Sequence, residues 1–384
     1  GDSRDTLDQL SRLRDCSLLL AETRVSGLWY RQLDSVREFL REVTPPEELL
    51  PWRAGHARHY AGLALDVRSL HERSEDSTVA EILAVSGGNL RTGLVFAIET
   101  GDDRLIRDYA FGLSRAFVEA GLLQDLATLA VPALEAATRL GDDALRFEIL
   151  GLLGIAARRS GHADLAMERW RERADAARDA DNPTIEADAL GDAIDLAIEL
   201  GRMETARELL DRLRPIVPRS TDPEAEVWAG LFEARCLLGE GRAEEALAAA
   251  LVVQARQKDP AHEAYVLRTV ASIAREAGDG TVSHRMAQRL LMRALDGGQI
   301  PRAAAAVLEL ATTAEAFGDL DRARQAVTAL LALPRRNGPS VYERARELAA
   351  ALGVKKRPPL RANVFLDLAR ALVSPQTADT PAGP

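Results

Sequence analysis

Apolar and small residues fall on one helical face ahead of a series of glycines. Counting back 11, 8, 7 and 4 residues from Gly121, Gly161, Gly201, Gly278 and Gly318 gives five sets. They are Ala110, Leu113, Ser114 and Phe117; Leu150, Leu153, Gly154 and Ala157; Leu190, Ala193, Ile194 and Ala197; Leu267, Val270, Ala271 and Ala274; and Val307, Leu310, Ala311 and Ala314. The i, i+3, i+4, i+7 spacing is that of a buried helical stripe. With Gly241 included, the glycines follow one another at 40, 40, 40, 37 and 40 residues. A fixed period of this size predicts a solenoid. A second set of breaks recurs in step: Gly141-Asp142, Asn182-Pro183, Asp222-Pro223, Asp259-Pro260, Gly297-Gly298 and Asn337-Gly338-Pro339. Each period therefore holds two helices, the first ending at a glycine suited to the left-handed conformation and the second at a turn pair. Ahead of Gly241, Glu233 lands on a core position, which predicts a rotated helix there.

Five residues after the glycine stands a small residue, Ala166, Ala206, Ala246, Ser283 or Ala323, with Leu126 as the exception. Another small residue precedes the glycine by seven. Antiparallel helices approach closely only where side chains are short. The pattern resembles the tetratricopeptide repeat, which places small residues on both sides of its turn glycine. The period exceeds that family's usual 34. A HEAT-like repeat is the alternative, with a better period but no recognisable signature. The resemblance implies an all-α, right-handed superhelical solenoid of antiparallel helix pairs, whose first helices line a concave groove.

Four segments follow. Residues 1–44 lie outside the repeat: Thr6 with Gln9 reads as a capping box, an apolar pattern around Val25-Ser26-Gly27 as a short hairpin, and residues 35–43 as a helix. This is the C-terminal half of a winged-helix domain. Residues 45–100 form a helical adaptor, and 101–353 hold about six repeats, with Pro132 expected to kink one helix. Residues 354–384 hold the Lys355-Lys356-Arg357-Pro358-Pro359 linker, a capping helix with Val364, Phe365, Leu368 and Leu372, and a disordered tail.

Three ordered motifs carry a second resemblance: Cys16-Ser17-Leu18-Leu19 with Tyr30-Arg31-Gln32-Leu33 and Val36-Arg37-Glu38-Phe39; His56-Ala57-Arg58-His59-Tyr60; and Gly88-Asn89-Leu90-Arg91 with Ala97 and Gly101-Asp102. Together they are similar to the C-terminal part of bacterial STAND-class regulatory ATPases, as in SARP- and LuxR-type transcriptional activators. Gly55 and Phe96 depart from the family's arginine and tryptophan. The resemblance implies a cytoplasmic sensor module for signal transduction, with the ATPase and effector modules elsewhere in a parent protein. The alternative is a freestanding tetratricopeptide scaffold for protein–protein interaction.

Composition narrows the chemistry. Aromatics at 4% and apolar residues at 47% suit close-packed helices. The net charge of −10 opposes sequence-independent nucleic-acid binding. Cys16 and Cys236 are the only cysteines, too few for a disulfide framework or a zinc cluster. No apolar run is long enough for a membrane span. There is no G-x-x-x-x-G-K-[ST], and His262-Glu263 lacks the second histidine of a metalloprotease motif. His56 and His59 have helical spacing but no acidic or thiol companions. No catalytic, cofactor-binding or metal site is expected in this chain.

The groove is the candidate site. Positions 13, 10, 6 and 3 before each glycine are expected to face it, including Asp188, Gly191, Asp195 and Leu231. Among them Arg115, Arg158, Trp228, Arg235, Tyr265, Arg268 and Arg275 combine residue types favoured at binding hot spots. The expected ligand is a protein or peptide partner or a small inducer. Arg235, Arg268 and Arg275, set against few acids, point to an anionic one.

Overall fold

The structure is a computed structural model that describes residues 3–24, 27–73, 75–296, 300–333, 339–354 and 362–373. The chain divides into two compact units, Gly1–Leu152 and Leu153–Pro384. The first holds α1 (Ser3–Asp15), the antiparallel hairpin β1 (Leu19–Arg24) and β2 (Gly27–Gln32), α2 (Asp34–Val43), α3 (Pro46–Glu72), α4 (Asp76–Thr100), α5 (Asp103–Glu119) and α6 (Leu123–Leu140). The division falls within α7 (Asp143–Arg159). The second unit continues with α8 (Ala163–Asp179), α9 (Pro183–Glu199), α10 (Met203–Leu213), a 3-10 turn (Val217–Arg219), α11 (Ala225–Gly239), α12 (Ala243–Arg256), α13 (Pro260–Glu276), α14 (Gly280–Asp296), α15 (Ile300–Ala316), α16 (Leu320–Leu331), α17 (Pro339–Leu352) and α18 (Ala362–Ala371). It is an all-α, tetratricopeptide-like stack of helix pairs with one small hairpin near the N-terminus.

The turn glycines behave as their spacing predicts. Gly121, Gly161, Gly201, Gly241, Gly278 and Gly318 have φ between 69° and 79°. A Cβ at any of them would meet nothing within 4 Å, so conformation and not crowding requires glycine. At Gly161 the N–H donates to the Arg158 carbonyl at 3.0 Å and the next N–H, of His162, to Ala157 at 2.9 Å. This pairing satisfies carbonyls that the helix end would otherwise leave open.

The counted stripe is the core. Of the twenty positions in the five sets only Leu153 is half-buried; the rest are buried. The small residues at plus five, Ala166, Ala206, Ala246, Ser283 and Ala323, are each 0% exposed. Their contact with the minus-seven position is direct in one pair, where the Ser283 hydroxyl donates to the Ala271 carbonyl at 2.9 Å. At Gly154 a Cβ would stand 2.3 Å from Nε1 of the buried Trp170, so the missing side chain is what admits the indole.

Ahead of Gly241 the helix is rotated, as expected: Glu233 does not enter the core and pairs with Arg207 at 2.7 Å and with Arg214. Val227, Leu231, Ala234 and Leu237 form the buried stripe of α11 instead. Leu231, counted to the groove face, is therefore core, as are Val118 and Gly151. In α18 the buried residues are Phe365 and Ala369, with Leu372 buried just beyond it, while Val364 and Leu368 turn outward. The Val25-Ser26 tip, the Gly297-Gly298 and Asn337-Gly338 breaks, the 355–359 linker and the 374–384 tail lie outside the described residues.

In the first unit, nothing before Ala57 is buried among the described residues, and Leu7, Phe39, Val43 and Trp52 are exposed. The core begins with Ala57, Ala61, Ala64 and Val67 of α3. Helix α5 rests on it closely: a Cβ at Gly112 would lie 2.4 Å from the Ala64 carbonyl. The buried Tyr109 hydroxyl donates to the Ala57 carbonyl at 2.8 Å. Two of the motifs meet across α3 and α4: Asn89 donates to the Tyr60 hydroxyl at 2.8 Å, and its side-chain oxygen lies 3.4 Å from His56 Nε2.

Candidate functional site

Pro215 and Pro218 end α10 after 11 residues, whereas α8 and α14 run for 17. The chain then crosses to α11 through the 3-10 turn and a loop. A cavity of about 340 Å³ lies in the second unit, with the end of α10 in its lining. Its walls come from Asp188, Gly191, Asp192 and Asp195 of α9, Leu213 of α10, Ser220 and Asp222 of the loop, Trp228 and Phe232 of α11, and His262 and Tyr265 of α13. The first helices of successive pairs thus supply most of the lining.

One wall is aromatic. The Trp228 and Tyr265 ring centres are 5.3 Å apart, tilted by 57°, and Trp228 meets His262 edge-on at 5.1 Å. Gly191 makes room for this wall, since a Cβ there would lie 3.2 Å from the Phe232 ring. Helix α9 makes another part of the lining acidic. Asp188, Asp192 and Asp195 recur at i, i+4 and i+7 on α9, so they share a face.

The cations stand behind these carboxylates. Arg173 of α8 donates to Asp188 at 2.7 Å and lies 3.8 Å from Asp192. Asp195 accepts from Arg158 at 3.2 Å and from Arg235, and the Tyr265 hydroxyl lies 3.2 Å from the same carboxylate. Arg235 also donates to that hydroxyl at 3.0 Å. Asp192 has no such close partner. Its side chain keeps 39% of its surface exposed, and partial desolvation, with Asp188 beside it, pushes its carboxyl up to about 7. Burial raises the Tyr265 phenol as well, and Asp195 adds to the effect.

The structure distributes the expected site residues unevenly. Trp228 and Tyr265 line the cavity, with Arg158 and Arg235 tied to its Asp195. Arg268 is exposed, its guanidinium 5.5 Å from the Tyr265 ring. Arg275 is paired with Glu309 at 2.5 Å. Arg115 is exposed in the other unit. Of the expected set of Arg235, Arg268 and Arg275 facing an anion, Asp195 pairs with the first and Glu309 with the third. Sequence reasoning passed over Asp192, Asp222, Phe232 and His262. The aspartate triplet was the available signal.

A second, larger cavity of about 600 Å³ lies between α13, α14 and α15, lined in part by Tyr265, Arg268, Arg293, Asp296 and Arg302. In the first unit His71 sits between two carboxylates, Nδ1 at 3.4 Å from Asp76 and Nε2 at 3.3 Å from Glu119. Opposite ring nitrogens cannot chelate one ion, so this arrangement bridges acids. Among the described residues no helix is long and apolar enough to cross a membrane.

No protein-family model and no curated protein sequence matches the chain. Among solved structures it is similar to a Signal Transduction ATPase with Numerous Domains (STAND) protein with a tetratricopeptide repeat sensor from Pyrococcus horikoshii, at 18% identity and a TM-score of 0.52. The likeness covers 89% of this chain and 47% of that one, so the chain spans about half the length of its neighbour. A weaker likeness, with a TM-score of 0.43 and 18% identity over 62% of this chain and 95% of the other, is to BtubC (BKLC) from P. vanneervenii. The first of these supports the fold; the second is too distant to bear on it.

Proposed function

We propose that this chain is the sensor module of a STAND-type, ATP-dependent bacterial transcriptional or signalling regulator, working in the cytoplasm through binding and without chemistry of its own. The observation that carries the reading is the likeness of 89% of the chain to a STAND protein with a tetratricopeptide repeat sensor. The motifs meeting across α3 and α4 add to it, because they resemble those of the same class. In this reading a partner or small inducer occupies the groove, and its preference for one arrangement of the repeats biases an ATPase module supplied by the parent protein. No cofactor is assigned to the chain.

The freestanding scaffold remains the competing reading, since a tetratricopeptide-like stack serves protein–protein interaction equally well. The two differ upstream of Gly1. An open reading frame continuing into a strand–GxxxxGK[ST]–helix module, whose product hydrolyses ATP at a rate changed by ligands of the repeats, is the expected result. A start codon at this position, or ATP turnover indifferent to every groove ligand, would leave the scaffold.

A further inference from the structure

We infer that the cavity between α9, α11 and α13 binds a small organic cation, an ammonium carried on an apolar body, between the α9 carboxylates and the rings of Trp228, Phe232 and Tyr265. The inference deepens the sensor reading by naming the ligand class, and it rests on that reading only for what binding would signal.

The carboxylates alone would mark a solvated acidic surface. What distinguishes this place is enclosure by rings: Trp228, Phe232, Tyr265 and His262 line the same cavity as Asp188, Asp192, Asp195 and Asp222. Aromatic faces attract cations through their quadrupole, most strongly when water is excluded. Small-molecule sites combine such an apolar enclosure with a few convergent polar groups.

Charge order decides the sign of the ligand. Among the described residues no arginine or lysine lines the cavity. The nearby cations are already paired: Arg173 with Asp188, and Arg158 and Arg235 with Asp195, their side chains 12%, 36% and 16% exposed. An anion entering here would meet aspartates on the lining and only arginines that already hold a carboxylate. Arg173, the cation nearest Asp192 among the described residues, is 3.8 Å away, leaving Asp192 able to take up an ammonium. Asp222 is held in place as an acceptor of the Glu224 backbone N–H at 2.9 Å. An entering ammonium would supply the counter-charge that Asp192 lacks.

The test is calorimetric titration of the full chain with phenethylammonium, benzyltrimethylammonium and, as the anionic counterpart, phenylacetate. Saturable binding of at least one cation without binding of phenylacetate is expected. Trp228→Ala and Asp192→Asn should each weaken it roughly tenfold or more. Exposed Glu208→Gln should leave affinity unchanged. Because removing Asp192 also touches Arg173, Asp222→Asn provides an independent arm: it removes a lining charge while keeping an acceptor for the Glu224 N–H, and should weaken binding while helical melting remains cooperative. The inference is overturned by an absence of saturable heat with both cations, by equal binding of phenylacetate, or by wild-type affinity in both Trp228→Ala and Asp192→Asn. Cation binding in a protein whose gene carries no ATPase would count against the sensor reading alone. An ATPase upstream with no cation binding would count against the ligand class alone.

Discussion

The cavity between α9, α11 and α13 and the one between α13, α14 and α15 share the Tyr265 ring as a wall. The second is larger, about 600 Å³ against about 340 Å³. Yet its charges are mixed. Glu263 lies among arginines there, 3.2 Å from Arg289 and 2.7 Å from Arg293, and Tyr265 is its only aromatic lining residue. In the first cavity the lining charges are all acidic, the arginines that pair with them are not part of the lining, and four rings share it. Interleaved opposite charges cancel one another's field, whereas a wall of one sign reinforces it. Volume is therefore the poorer guide to a site, and the order of charge the better one.

The comparison breaks most severely if the scaffold of the first cavity is overpacked. Ala206 on α10 is 0% exposed, at the seam where the second helix approaches the first. Ala206→Trp is expected to lower stability by roughly 1–3 kcal/mol or more. Glu208→Trp, exposed on the same helix, is expected to change little. Thermal melting of the two variants side by side is the check, and equal midpoints would mean that the seam lies elsewhere.

A smaller effect, specific to the first cavity, concerns Asp192. Its carboxyl is raised to about 7 in the folded chain. The folded state thus holds this proton over a range in which the unfolded state has released it, so stability falls as pH rises from the ordinary carboxylate range through about 7. The groups setting this are Asp188 and Asp195 on the same helix, Arg173 from α8 and Arg158 from α7. Asp222, His262 and Tyr265 share the cavity. Asp192→Asn removes the charge, so it should raise the melting temperature at about pH 8 and bring little gain at about pH 5. The same substitution should weaken cation binding. A variant less stable than wild type at the higher pH would contradict the assigned cost of ionising Asp192.

Most of the fold was legible because it is local. A glycine at φ near 70° and a stripe at i, i+3, i+4, i+7 are properties of single helices, and the 40-residue period multiplied the evidence for each. The site was less legible because its parts come from three periods. Trp228 and Tyr265 could be placed on the groove by counting, but not the fact that Asp195, 40 residues before Arg235, would neutralise that arginine. Counting also assumes one rotation for all first helices. Glu233 breaks that assumption by pairing with Arg207 and Arg214, turning α11 so that Leu231 enters the core.

The smallest expected effect falls on the side of Tyr265 that faces the second cavity, and it separates the two recesses most directly. Arg268 is exposed, and its guanidinium lies 5.5 Å from the centre of the Tyr265 ring. A cation–π contact at a solvated position contributes about 0.5–1 kcal/mol. Arg268→Ala should therefore shift stability by no more than this, well below the effect of Ala206→Trp. Phenethylammonium affinity should change by less than about twofold, because Arg268 does not line the first cavity and its charge is screened by solvent and salt. The same titration with phenylacetate should show no binding to wild type or variant. Were wild type to bind the anion and Arg268→Ala to lose it, the basic side of Tyr265 would be the recognition site, and the contrast drawn between the two cavities would be reversed.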